Sequence, residues 1–101
     1  MEIYKLGEKL DSFSSPKEQE QILAVLEKGN SLILDMTDCT YVSSAGLRVL
    51  LYSYKVAVSN GQKLYLVGVC EEVRDVMGMT GFEDYFEFFG SIDECLQQNP
   101  G

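Results

Sequence analysis

Histidine is absent from this 101-residue chain. That removes the commonest general base, the commonest metal ligand and every serine hydrolase built on a histidine triad. Neither G-x-G-x-x-G nor a P-loop occurs, so no glycine-rich motif is available to cradle phosphates. Basic residues are scarce: eight Lys and Arg stand against sixteen Asp and Glu, a formal net charge of -8. Such a surface repels nucleic acid and anionic lipid and attracts a basic protein, so neither nucleic acid nor a membrane is expected as a partner. Cysteine is limited to Cys39, Cys70 and Cys95, an odd number with no C-x-x-C pair, and the three are expected to be reduced and mostly buried. No apolar run approaches the ~20 residues that span a bilayer, and the opening Met1-Glu2-Ile3-Tyr4-Lys5 lacks the character of a signal peptide. A cytoplasmic location is the expectation.

What remains has the composition of one globular domain, with 46% hydrophobic and 24% charged residues. A single domain over residues 1–101 is expected, ordered over about 2–97. Residues 3–6 alternate as a short strand. Ser15-Pro16-Lys17-Glu18 then predicts a helix start, with Ser15 as N-cap, Pro16 at the first helical position and Glu18 completing a capping box. Ile22, Leu23 and Leu26 share a face of that helix, and Gly29 ends it. Leu32-Ile33-Leu34 is too short for a helix and predicts a strand covered on both faces, at the centre of the sheet. Helical spacing resumes with Leu47, Leu50, Leu51, Tyr54, Ala57 and Val58, so a second helix starts at Ser43-Ser44. After Asn60-Gly61 come a strand over residues 63–69 and a third helix, which opens on Glu71-Glu72 and stops at Gly81. Residues 85–89 read as a last strand of structural aromatics. Ser91 and Glu94 form a second capping box on a terminal helix, and residues 99–101 are expected to fray. Strands alternating with helices require crossovers, which predicts an α/β fold: a mainly parallel or mixed sheet of about four strands with about four helices.

Enzymatic chemistry has little to work with. Asp35 and Asp38 could hold a cation in principle, but two acids at a strand-to-loop junction are more often solvated turn residues. Cys39 has no basic neighbour to activate it. A small enzyme or ligand carrier using these three residues is therefore the weakest reading; no metal or cofactor is expected, and the chain is read as a non-enzyme. Chemical meaning concentrates instead in Tyr41-Val42-Ser43-Ser44-Ala45-Gly46-Leu47-Arg48. There an apolar strand end delivers two hydroxyls to a helix N-terminus, where unpaired N–H groups and the positive end of the helix dipole favour a phosphate. Ala45 and Gly46 leave the first turn open to a partner or kinase, and Arg48, one turn beyond Ser44, could meet a phosphoserine. The alternative is that the serines are N-caps and the glycine a close-packing position.

At these residues the chain resembles the stand-alone anti-sigma factor antagonists of the STAS domain family. Asp35-Met36-Thr37 followed by residues 41–51 resembles the family's signature, Leu10-Asp11 with Pro16 its first loop-to-helix junction, and residues 64–68 with Val73-Arg74 and Thr80-Gly81-Phe82 its C-terminal half. The resemblance implies a partner switch. The unphosphorylated domain would bind an anti-sigma factor that is also a serine kinase of the histidine-kinase-like ATPase fold. Phosphorylation would release it, and a PP2C-type phosphatase would reset it. By position in the motif the phosphorylated residue is Ser44, with Ser43 as the alternative, and the partner surface comprises Asp11, Ser43, Ser44, Ala45, Gly46 and Arg48. Ser43 stands where many members have aspartate, and the segment before Asp11 is short, so a non-phosphorylated adaptor of the same fold is the second expectation. A domain that presents one face to a kinase is expected to be a monomer.

Overall fold

Four leucines and an isoleucine decide how the sheet is sandwiched. Strands β3 (Leu32–Asp35) and β5 (Leu64–Val67) lie side by side at the centre of a four-stranded sheet and are buried along their whole length. Their side chains alternate between the two faces. Leu32, Leu34, Leu64 and Leu66 join Ile22, Leu26, Leu47, Leu50, Val73 and Met77 in the main core, while Ile33, Tyr65 and Val67 join Cys95 on the other face. The computed structural model describes residues 1–99, and its remaining elements follow from this sandwich.

The outer strands are β1 (Glu2–Lys5) and β6 (Glu87–Phe89), and every neighbouring pair is parallel, with Ile3, Ile33, Tyr65 and Glu87 in register. Helices α1 (Ser15–Glu27), α2 (Ser44–Ser59) and α3 (Glu71–Thr80) supply the main core, and the short α4 (Ile92–Gln98) covers the opposite face. The expected α/β architecture, a mainly parallel or mixed sheet of about four strands with about four helices, is observed, and the four-stranded sheet is wholly parallel. A second, two-stranded parallel ladder joins β2 (Lys9–Leu10) to β4 (Tyr41–Val42). Among the described residues, no helix is long and apolar enough to cross a membrane.

Several local expectations change. The N-cap of α1 is Ser14 rather than Ser15, and no capping box forms. Ser14 has helical backbone angles, so its hydroxyl does not reach forward onto the helix's amides. Glu18 turns away instead and accepts from the Tyr4 hydroxyl at 2.6 Å and from the Gly7 amide at 3.3 Å. Burial, with Glu18 alongside, pushes the Tyr4 hydroxyl up to about 12. Strand β1 covers residues 2–5, ending before Leu6, and β5 is shorter than residues 63–69 because Gly68 takes a φ of 68° where the chain turns out of the sheet. A β-carbon at that glycine would overlap Thr37. The aromatic run 85–89 divides: Phe82–Tyr85 is a 3-10 turn that sets the Tyr85 ring against Tyr54 at a 60° tilt, and only Glu87–Phe89 pairs with β5. Ser91 caps α4 as expected, though Glu94 reaches back to the Gly90 amide instead of that of Ser91. Asn99 does not fray; it donates to the Cys95 carbonyl and accepts from the Tyr65 hydroxyl, while residues 100 and 101 lie outside the described residues. Gly29 (φ 86°) and Gly81 (φ 77°) end α1 and α3 as the sequence implies.

Candidate functional site

The serine pair is positioned by the small ladder. Ser43 follows β4 directly, and its amide donates to the Leu10 carbonyl at 3.0 Å, which ties the start of α2 to the loop that leads into α1. Ser43 is extended (φ -85°, ψ 177°), and its Oγ accepts from the Gly46 amide at 3.2 Å while its carbonyl accepts from the Leu47 amide. It is therefore the N-cap, half-buried and chemically committed. Ser44 is the first helical residue and is exposed. With the Gly46 and Leu47 amides satisfied by Ser43, those of Ser44 and Ala45 have no partner among the described residues. The two serines thus divide the roles that the sequence left open: one closes the helix, and the other offers a free hydroxyl beside unpaired N–H groups at the positive end of a 16-residue helix.

Gly46 corrects the expectation of an open first turn. It is buried, and a β-carbon there would overlap the Leu10 carbonyl oxygen, so glycine is required by close packing against β2 and not by access. Ala45 is half-buried. Arg48 is exposed one turn beyond Ser44 and lines, with Ala45, Val49 and Tyr52, a groove of about 610 Å³ whose other wall is Ser12, Pro16 and Leu23 of the α1 region. Asp11 sits across the Leu10–Ser43 link but is turned onto its own loop. Its Oδ1 accepts from the Phe13 and Ser14 amides, both at 3.0 Å, and these bonds, the Ser14 amide foremost, hold its carboxyl below the ordinary value.

The alternative catalytic neighbourhood does not assemble. The Asp35 carboxylate accepts from the amide and hydroxyl of Thr37, whereas Asp38 turns outward to an ion pair with Lys5 at 3.0 Å. Cys39 is buried, its thiol donates to the Tyr41 carbonyl, and burial pushes that thiol up, away from the thiolate. Cys95 is also buried and Cys70 is partly exposed; all three thiols are free.

Two features of this end of the molecule were not anticipated: the α1–α2 groove, which depends on how the helices pack, and Phe13, whose ring is 95% exposed. An aromatic residue among the polar residues Asp11, Ser12, Ser14 and Ser15 was the available signal for the second.

The sequence model of the STAS domain matches residues 2–95. The chain is 27% identical over 88 residues to an anti-sigma-B factor antagonist of Bacillus subtilis, covering 87% of this chain and 81% of that protein. Among solved structures, a sulfate transporter family protein from Wolinella succinogenes superposes with a TM-score of 0.84 at 23% identity, over 96% of this chain and 82% of that one. The unphosphorylated anti-sigma factor antagonist SpoIIAA, which in Bacillus has also been solved in a phosphorylated form, superposes with a TM-score of 0.79 at 15% identity, over 95% of this chain and 84% of that one. At these identities the structural matches establish the shared fold.

Proposed function

Because the chain belongs to the STAS domain family, we propose that it is an anti-sigma factor antagonist switched by phosphorylation of Ser44. Unmodified, it binds an anti-sigma factor that is a serine kinase of the histidine-kinase-like ATPase fold and so frees a sigma factor. Phosphorylated, it lets go, and a PP2C-type phosphatase restores it. The domain acts in the cytoplasm, as a monomer and without catalysis of its own. The observation that carries this reading is the division of labour at the start of α2: Ser43 is consumed as the cap, and Ser44 is exposed beside free amides. Likeness in sequence to the Bacillus subtilis antagonist supports the functional class, since the fold itself also occurs in a transporter family protein.

The energetics suit a switch. A phosphate adds about 1.5 to 2 negative charges. At the helix N-terminus those charges are compatible with the folded domain, but within an interface they must be desolvated. A thousandfold loss of affinity requires only ~4 kcal/mol, well within what one buried and unpaired phosphate costs. Arg48 and the free amides favour the phosphate in the free domain, so modification acts on binding far more than on folding.

Intact-mass analysis with site mapping tests the reading, on protein from its own organism and after incubation with that organism's switch kinases and ATP. One phosphate on Ser44, abolished by Ser44→Ala and accompanied by release of the kinase, is the expected result. Persistent partner binding without modification under any condition would instead make the chain a constitutive adaptor.

A further inference from the structure

Phe13 is the most exposed large apolar side chain among the described residues. The backbone of the loop that carries it is nevertheless tied down by hydrogen bonds. The Asp11 amide donates to Ser14 Oγ, Ser14 Oγ donates to the Lys9 carbonyl at 2.8 Å, and the Ser15 amide donates to the Asp11 carbonyl at 2.8 Å. The Phe13 amide is itself fixed on Asp11 Oδ1. None of these bonds uses the ring, so any residue would serve the turn, and the ring buries almost nothing in the free domain. It does stand on a fixed stem next to the switch: Leu10, which precedes this loop, accepts from the Ser43 amide, and Ser12 and Pro16 on either side of Phe13 line the groove that Ala45 and Arg48 line from α2.

We propose that Phe13 is the apolar anchor by which the unmodified domain docks on the serine kinase that acts at Ser44, its ring entering a nonpolar pocket on the kinase while the kinase surface closes over the α1–α2 groove. This rests on the reading of Ser44 given above. An aromatic side chain carried on a backbone fixed in advance of binding contributes large contact area while only its two torsions must be ordered, the usual character of an interface hot spot. A second copy of the chain is a poor occupant, because each carries a net charge of -8. A partner with a basic rim around the pocket is attracted by that same charge. The position of the anchor also suits a switch: the Ser43 amide ties the start of α2 to the Leu10 carbonyl at the head of the Phe13 loop, so a partner that seats the ring and covers this end of the molecule would have to desolvate a phosphate on Ser44.

The test uses the purified, unmodified domain and the purified histidine-kinase-like serine kinases of its own organism, with calorimetry for binding and radiolabelled ATP for phosphorylation. Phe13→Ala is expected to weaken binding to the kinase that accepts wild type on the order of 10- to 100-fold. It should raise the KM for Ser44 phosphorylation with little change in kcat and leave the melting temperature unaltered. Phe13→Leu should retain most of the affinity. Met79→Ala, which removes another exposed apolar side chain at the end of α3, should change nothing. Binding of Phe13→Ala within twofold of wild type, or an equal loss in Met79→Ala, overturns the anchor and leaves the Ser44 reading standing. If none of the kinases binds or modifies wild type, the reading of Ser44 itself fails and the anchor fails with it.

Discussion

Ser43 and Ser44 are chemically identical and adjacent, yet their hydroxyls are tied to different free energies. The Ser43 Oγ satisfies the Gly46 amide, so Ser43→Ala should destabilise the domain by about 1 kcal/mol. Ser44 lies on the exposed first turn, and Ser44→Ala should fall within about 0.5 kcal/mol of wild type. Urea denaturation of the two variants decides the assignment of roles without any partner: equal losses would mean that the cap is shared. Two residues further on, Gly46→Ala tests the packing reading. A methyl group there meets the Leu10 carbonyl oxygen, a backbone atom that cannot swing aside, so the ladder between β2 and β4 must shift. Overpacking of this kind costs about 1 to 3 kcal/mol, several times the small gain in helix propensity from removing a glycine. A Gly46→Ala variant as stable as wild type would show that the contact yields.

The element that links the site to the rest of the chain is the loop from β2 to α1, and its stability should depend on acid. Asp11 is held below its ordinary value of 3.8 because its carboxylate accepts the Ser14 and Phe13 amides. A depressed folded-state pKa stabilises the fold above 3.8 and loses that contribution as pH falls through the folded value. Asp11→Ala should therefore lower the melting temperature at pH 7, and the gap to wild type should narrow below pH ~4. A pH-independent gap would assign the effect to packing. This loop also marks where sequence reasoning ran short. Residues 12–16 contain three serines, any of which can cap a helix, and the choice of Ser14 follows from Asp11 folding back on the loop, a tertiary arrangement. The β2–β4 ladder is two residues long, too short for any alternation to reveal it, and the 3-10 turn of Phe82–Tyr85 is dictated by the packing of Tyr85 on Tyr54. By contrast, β3 and β5 were legible as short continuous apolar runs beside turn glycines, and α2 from apolar residues at helical spacing over its length. The serine motif was legible because two hydroxyls fall at the start of that helix, whereas the groove beside it, which needs two helices at once, was not.

At the scale of the molecule the two faces of the sheet are unequally held. The main core draws on α1, α2 and α3, while the other face among the described residues rests on Ile33, Tyr65, Val67 and Cys95, with Phe89 and Ile92 at its margin. Helix α4 has seven residues and a single buried one, Cys95, so it should open locally before the sheet unfolds. Native-state hydrogen exchange in rising denaturant should find the α4 amides exchanging at least about 2 kcal/mol below those of β3 and β5, with a shallow dependence on denaturant. The asymmetry has a functional consequence, because the Ser44 end of α2 belongs to the well-held side. Opening of α4 leaves the groove and the Phe13 loop intact, and phosphorylation at Ser44 should leave α4 exchange unchanged while altering that of the first turn of α2. Should α4 and β3 instead exchange together, the domain is one cooperative unit, and a charge placed at Ser44 would be felt on both faces of the sheet.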